Sequence, residues 1–257
     1  MTSGPALHEA RISPVVVIPV FNHALKIGAL VHAVRTQGLP CLLVDDGSEP
    51  VCAQVLAQLA ADDPAAVFVV RLECNQGKGA AVMAGFREAA LRGHSHVVQI
   101  DADGQHDAAD IDGFLEQALR FPESVIVGCP LFDASVPKGR LYGRYLTHVW
   151  VWINTLSMDI RDSMCGFRVY PLRPVLALID SVRIGRRMDF DTEVLVRLHW
   201  AGVGVRNHET RVSYPSDGVS HFDLLRDNLR ISRMHAMLFF GMLWRLPLLL
   251  ARKWRRS

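Results

Sequence analysis

A chain of 257 residues, 50% apolar and 21% charged, has enough apolar side chain to bury a sizeable core, which excludes a disordered or fibrous polymer. Its formal net charge is only +2, but residues 226–257 hold eight Lys/Arg against the single acid Asp227, a local +7 that leaves the other 225 residues at −5. A weakly acidic body with a basic end argues against a nucleic-acid protein built round one broad basic face, and fits contact with an anionic membrane surface.

The first half alternates regularly. Residues 15–20 (VVVIPV) are a short continuous apolar run beside prolines, which predicts a buried strand. Ile27, Leu30, Val31 and Val34 then recur at helical spacing until Gly38 and Pro40 stop them. A second strand is expected over 41–44, ending in Asp45-Asp46-Gly47-Ser48, and a helix through Val51, Val55, Leu56 and Leu59. A strand over 67–72, a helix over 80–91 and a strand over 97–100 follow, the last ending at Asp101. Ile111, Phe114, Leu115, Ala118 and Leu119 continue the pattern as a helix, and 125–127 as a strand. Such alternation implies an α/β fold with a mostly parallel central sheet flanked by helices. Ligands of such sheets sit beyond the strand carboxyl ends, where the polar clusters 21–22, 45–48, 75–79 and 101–107 fall.

After Gly128 the rhythm loosens. Tyr142, Tyr145, Leu146, Val149, Trp150 and Ile153 predict one longer amphipathic helix. A polar hinge over 162–168 leads to Val169-Tyr170, residues 191–200 read as helical, and 203–207 and 210–214 as two short strands. No repeat or interdomain linker is evident, so the reading is one domain with a tail. In that tail Met237 to Leu250 is apolar and flanked by Arg230, Arg233, Arg252, Lys253, Arg255 and Arg256, which suits a helix lying in a headgroup layer; a core-packing or oligomer-forming helix is the alternative. The stretch 236–251 is short and interrupted by Arg245 and Pro247, so it is not expected to span a bilayer. Residues 1–14 lack the apolar core of a signal peptide, and five cysteines without a C-x-x-C pair read as reduced, mostly buried thiols of a cytosolic protein.

Taken singly, the chemical motifs are ambiguous. Asp101-Ala102-Asp103-Gly104-Gln105-His106 places two carboxylates just past a strand, where they can hold one divalent cation or merely cap a turn. Asp45-Asp46-Gly47-Ser48 can accept hydrogen bonds from a nucleobase or ribose, or cap the helix that follows. Asn75-Gln76-Gly77-Lys78-Gly79 brings backbone N–H groups and a cation to a helix start, but Gly79 stands where a P-loop needs Ser or Thr. Asp162, Asp191 and Glu193 are candidate general bases, with helix capping as the alternative for Asp191; Cys165 reads as structural.

The order and spacing of the whole set carry more. VVVIPVFN, VDDGS, NQGKGAAVMAGF, DADGQHD, DSMCGFRVY and DFDTEVLVRL together resemble the family-2 glycosyltransferases over residues 14–222, nearest in pattern to the branch of dolichyl- and polyprenyl-phosphate sugar synthases and of the stand-alone bacterial type. The resemblance implies a GT-A fold over 14–222, a nucleotide-diphosphate sugar donor (UDP- or GDP-linked), Mg²⁺ or Mn²⁺, and inversion at the anomeric carbon. Residues 1–13 become an extension and 223–257 a basic amphipathic helical tail. By the same resemblance Pro19, Phe21, Asn22, Asp45, Asp46, Lys78 and Asp101 line the donor site, and Asp101, Asp103 and Gln105 hold the metal. Asp162, Gly166, Phe167 and Arg168 fall on the acceptor side, and Glu193 and Asp191 on the later acidic helix.

There are departures from the branch. Gly128-Cys129-Pro130 replaces its usual Gly-Ser-Arg, removing an acceptor-phosphate arginine for which Arg140, Arg144 or Lys138 can substitute, and His221 stands where Lys is frequent. No counterpart is expected of the two transmembrane helices common in bacterial relatives. The Ser-His-Phe variant is similar to stand-alone transferases of lipid or aryl-polyene assembly. The expectation is a transferase held peripherally at the cytoplasmic membrane face, acting on a lipid-linked or lipid-phosphate acceptor and not on nucleic acid. An acceptor phosphate needs little base, whereas a hydroxyl needs a carboxylate such as Asp162 or Glu193. The rivals are a nucleotidyltransferase, which usually opens with a Gly-rich loop where this chain has Pro19-Val20-Phe21-Asn22, and a silent nucleotide-sugar-binding scaffold.

Overall fold

The computed structural model describes residues 12–131, 138–212 and 224–256, the side chains of 138–140, 224 and 255–256 aside. The first half alternates β1 (Pro14–Val20), α1 (Ala24–Thr36), β2 (Cys41–Asp45), α2 (Pro50–Asp62), β3 (Val67–Arg71), α3 (Lys78–Leu91), β4 (His96–Gln99), α4 (Ile111–Arg120) and β5 (Ser124–Leu131). The second half adds α5 (Lys138–Thr155), β6 (Arg168–Pro171), α6 (Leu172–Ser181), α7 (Phe190–Ala201), β7 (Gly204–Arg211) and α8 (Leu224–Arg256). One sheet results, in the order β3-β2-β1-β4-β6-β5-β7. All pairs are parallel except those of β6, which runs antiparallel to β4 and β5.

The apolar runs of the strands explain the layering. Side chains alternate between faces along a strand. Val15, Val17, Leu42 and Val44 pack with Phe86, Phe190, Val194 and Tyr170 on one side. Val16, Ile18, Cys41 and Leu43 pack with Ile27, Leu56 and Phe114 on the other. Both faces are therefore covered, and the free rim at the carboxyl ends of β1, β2 and β4 gathers the loops that begin at Phe21, Asp46 and Asp101.

Three elements differ from expectation. The two short strands read at 203–207 and 210–214 are one strand, β7, paired with β5 along Gly204–Arg211, with Val212 bridging to His106; residues 213–214 lie outside the described residues. Helix α6 was hidden behind Pro171 and Pro174, yet Pro171 is its N-cap and Pro174 falls in its first turn, where a missing N–H costs nothing. The tail is not interrupted: α8 runs 33 residues through Pro247. Its segment Leu225–Trp254 has a mean hydropathy of 1.5 in its most apolar window and is long and apolar enough to cross a membrane by length and composition, with 28% of that window buried against the protein. Met234, Leu238, Met242 and Leu249 of α8 belong to the same core as α3, α6 and α7.

Candidate active site

The turns after β1, β2 and β3 lock together first. Asn22 adopts the left-handed region (φ 59°), which short polar side chains tolerate. Its N–H donates to Ser48 Oγ (3.0 Å), and its Oδ1 accepts from the Glu49 N–H (2.9 Å). Asp45 accepts from the Ser48 N–H (2.8 Å) and pairs with Arg71, which also donates to the Ser48 carbonyl (2.9 Å). Asp46 accepts from the N–H groups of Gln76 (2.7 Å) and Gly77 (2.8 Å), so β2 holds the glycine-rich loop in place. Burial pushes the Asp46 carboxyl up despite those bonds. The capping alternative for this motif is corrected: the N-cap of α2 is Glu49, without a side-chain bond. Pro19 and Phe21 are half-buried at the same rim.

Gly77 has φ +104°, and a Cβ there would sit 2.5 Å from the Arg186 carbonyl oxygen, so only glycine lets the loop cross the segment before α7. That crossing delivers Lys78, the first residue of α3, to the acidic centre. Its ammonium lies 2.8 Å from both Asp101 Oδ2 and Asp191 Oδ2. Burial alone would lower its pKa, but the two carboxylates hold it well above the usual lysine range. Asp191 also accepts from Gln99 Nε2 (3.1 Å). Burial raises the Asp191 carboxyl, but Lys78 and Arg168 outweigh that and hold it below the usual range. Asp101 Oδ1 is buried with no hydrogen-bond partner. Asp103 accepts from the Gln105 N–H (3.0 Å), and burial and then the charge of Asp101 push its carboxyl up. A buried unpartnered carboxylate oxygen beside a second carboxyl that resists ionisation is the environment a dication would relieve. Among the described residues no cluster of three or more His, Cys, Asp or Glu forms a ligand set.

The acceptor side is built differently from expectation. Arg168 is fully buried: it donates to the carbonyls of Cys165 (2.7 Å), Ser163 (2.8 Å) and Asp191 (2.6 Å) and to Tyr170 Oη (2.9 Å). It ties down the 162–168 loop and cannot reach an acceptor, which corrects that assignment. Glu193 is equally committed, to Arg197 (2.8 Å) and the Gly185 N–H (2.8 Å), and is no free base. Asp162 takes a bidentate pair from Arg144 (2.6 and 2.7 Å), lies 3.3 Å from His148 Nε2, and accepts from the N–H groups of Met164 (2.9 Å) and Cys165 (2.8 Å). Burial would raise its carboxyl, but His148 and Arg144 hold it far below the usual range, so it too is no base. His221 and the side chains of Arg140 and Lys138 lie outside the described residues.

Sequence reasoning missed several residues of this rim. Gln99 is a polar residue that follows Val97 and Val98 at the end of β4 (sequence HVVQ), a readable signal. Arg71 closes on Asp45 only because β3 pairs with β2 in register. Arg186 donates to Gln76 Oε1 and Arg187 to Asn75 Oδ1 (3.2 Å), contacts across more than a hundred residues that no local pattern encodes. A cavity of about 540 Å³ between the C-terminal ends of α5, α7 and α8 is lined by none of these residues.

The mostly parallel sheet with its acidic centre at the carboxyl rim superposes on solved GT-A glycosyltransferases, whose fold it shares. Glucosyl-3-phosphoglycerate synthase from Mycobacterium tuberculosis superposes with a TM-score of 0.63 at 14% identity, over 91% of this chain and 81% of that one. A mannosyltransferase from Pyrobaculum calidifontis, in complex with GDP-Man and Mn²⁺, gives 0.57 at 16% identity, over 94% and 74%. Residues 15–175 match the family described as Glycosyl transferase family 2, and the chain belongs to that family; it is a glycosyltransferase. Polyprenol monophosphomannose synthase of Mycolicibacterium smegmatis is 32% identical over 191 residues, 68% of either chain. Undecaprenyl-phosphate mannosyltransferase of Micrococcus luteus is 29% identical over 191 residues, 67% of this chain and 74% of that one. The nucleotidyltransferase and silent-scaffold readings are set aside.

Proposed function

We propose that the protein transfers a sugar from a nucleotide-diphosphate sugar to a polyprenyl phosphate in an inverting displacement, at the cytoplasmic face of a membrane. One observation carries the acceptor class: each candidate base is already committed, Asp162 to Arg144, Asp191 to Lys78 and Glu193 to Arg197. A hydroxyl acceptor needs its proton taken in the transition state, whereas a phosphate is anionic and needs no such base. The names of the mycobacterial and micrococcal relatives support the same class. In the reaction a phosphate oxygen of the acceptor bonds to the anomeric carbon as that carbon's bond to the donor diphosphate breaks, releasing nucleoside diphosphate.

The chain's own groups then have defined tasks. The turns at Asn22, Asp45–Asp46 and Asn75–Gly77 shape the donor rim, and Arg186 and Arg187 add positive charge there. Asp101, Asp103 and Gln105 would hold Mg²⁺ or Mn²⁺, whose charge would offset that developing on the diphosphate. Arg144, fixed by Asp162, stands on the acceptor side. The basic, apolar α8 suits an anionic leaflet.

The test is transfer from GDP- and UDP-sugars to a short polyprenyl phosphate and to the matching alcohol. Nucleoside diphosphate should be released with the phosphate alone. Asp103→Ala should lose at least about a hundredfold in kcat, since charge stabilisation worth several kcal/mol is removed, while its thermal midpoint stays near wild type. Equal transfer to the alcohol would overturn the acceptor class.

A further inference from the structure

We propose that Gln99 is a positioning residue for the metal-binding carboxylate Asp101, acting through Asp191 and Lys78, and that Lys78 is an internal counter-ion rather than a donor ligand. The inference rests on the reading of Asp101 as a metal ligand. Gln99 is the last residue of β4, and Asp101 lies two residues on, in the turn that follows it. Gln99 is fully buried, yet its Oε1 has no partner, a cost that an apolar side chain in the strand would avoid. What its amide holds is Asp191: Gln99 Nε2 donates to Asp191 Oδ1 at 3.1 Å.

From there the chain of contacts is continuous. Asp191 Oδ2 lies 2.8 Å from Lys78 Nζ, and Lys78 Nζ lies 2.8 Å from Asp101 Oδ2. One oxygen of Asp101 is thus pinned, and the other, Oδ1, is the atom left without a partner. Arg168 fixes the backbone end of the same arrangement by donating to the Asp191 carbonyl (2.6 Å). The four linked side chains come from β4, α3, α7 and the turn after β4, so no one element defines the direction of Asp101. Without the amide of Gln99, Asp191 is restrained at one oxygen only. Lys78 can then follow it, and the free oxygen of Asp101 loses its fixed direction. Outer-shell partners of metal ligands characteristically tune affinity in this way.

The experiment titrates Mn²⁺ into the full chain, without sugar donor, by electron paramagnetic resonance. Gln99→Met removes the amide at nearly constant length and should weaken Mn²⁺ binding by about ten- to a hundredfold with the thermal midpoint unchanged or raised. Gln99→Asn, which stays polar but is one methylene too short to reach Asp191, should show the same loss should the methionine variant fold poorly. Because Gln99 acts through Asp191, the double variant with Asp191→Asn should lose no more than Asp191→Asn alone. Wild-type affinity in both Gln99 variants, or losses that simply add in the double variant, would overturn the inference. A wild-type protein that binds no Mn²⁺ would instead overturn the metal reading, and this inference with it.

Discussion

Gly166 shows how little room the site leaves at the scale of single residues. A Cβ built on it would lie 2.3 Å from Asp101 Oδ2 and 2.7 Å from Lys78 Nζ. The 162–168 loop is held there by two buried charges, Asp162 accepting from the N–H groups of Met164 and Cys165, and Arg168 donating to the carbonyls of Ser163 and Cys165. The loop cannot lift to admit a methyl group, so the Asp101–Lys78 pair must move instead. Gly166→Ala should therefore fold, with about 1–3 kcal/mol lost to overpacking, while kcat falls about a hundredfold because reacting groups are displaced by about an ångström. Parallel denaturant melts and turnover assays check this, and an active Gly166→Ala protein would show that the pair is not part of the catalytic geometry. The same scale explains why Asp162, Asp191 and Glu193 looked like bases in the sequence: an acidic residue in a motif does not reveal which arginine or lysine the fold sets against it.

Elements whose information is local were legible. The runs 15–20 and 41–44, the helical spacing of Ile27 to Val34 and the acids after the fourth strand gave the first half of the sheet and the rim, because parallel strands put their carboxyl ends together. Elements governed by partners were not. Helix α6 starts at two prolines whose positions excuse them, Pro171 as N-cap and Pro174 in the first turn, β7 is one strand because β5 pairs along its whole length, and α8 continues through Pro247 while its buried face packs on the domain. The α5–α8 contact carries a prediction of its own. His235 of α8 is buried near Trp150 and Phe239, neither ring nitrogen has a partner, and burial pulls its pKa from 6.5 down to about 4. The unfolded chain binds a proton there between about pH 6.5 and 4 and the folded chain does not, so stability rises with pH across that window and is lost on acidification, by up to about 3 kcal/mol. The tightly paired Asp162 also disfavours acid, but it does so mainly below its ordinary value of 3.8. His94, His96 and His106 are lowered by burial as well and act in the same window, so His235→Leu should remove a clear part, not all, of the difference between urea midpoints at pH 7 and pH 4.5; an unchanged difference would assign the acid sensitivity to those other histidines.

For the whole molecule, the proposed lipid acceptor asks where the domain would meet a membrane, and the two sides of α8 bear on it. Met234, Leu238 and Met242 are buried at four-residue steps, while Phe240, Trp244 and Leu248 are exposed at the same steps, offset by two residues or about 200° round the helix. Trp244 and Trp254 are 87% and 88% exposed, and Arg226, Arg233 and Lys253 are exposed on the same helix, whereas Arg245 and Arg252 turn back onto Trp200. An exposed aromatic and basic face is the composition of a helix lying in a headgroup layer. Deleting α8 is a poor test of that role, because it would strip Met234, Leu238, Met242 and Leu249 from the core and unfold the domain along with the surface. Trp244→Ser with Trp254→Ser leaves the buried face intact. Each ring withdrawn from the interface removes about 1.5 kcal/mol, so partitioning onto vesicles containing anionic phospholipid should fall roughly tenfold per substitution. Turnover of a short, water-soluble acceptor should stay at the wild-type value, and added salt should weaken wild-type binding further through the arginines. Undiminished vesicle binding by the double variant would remove α8 from the membrane contact.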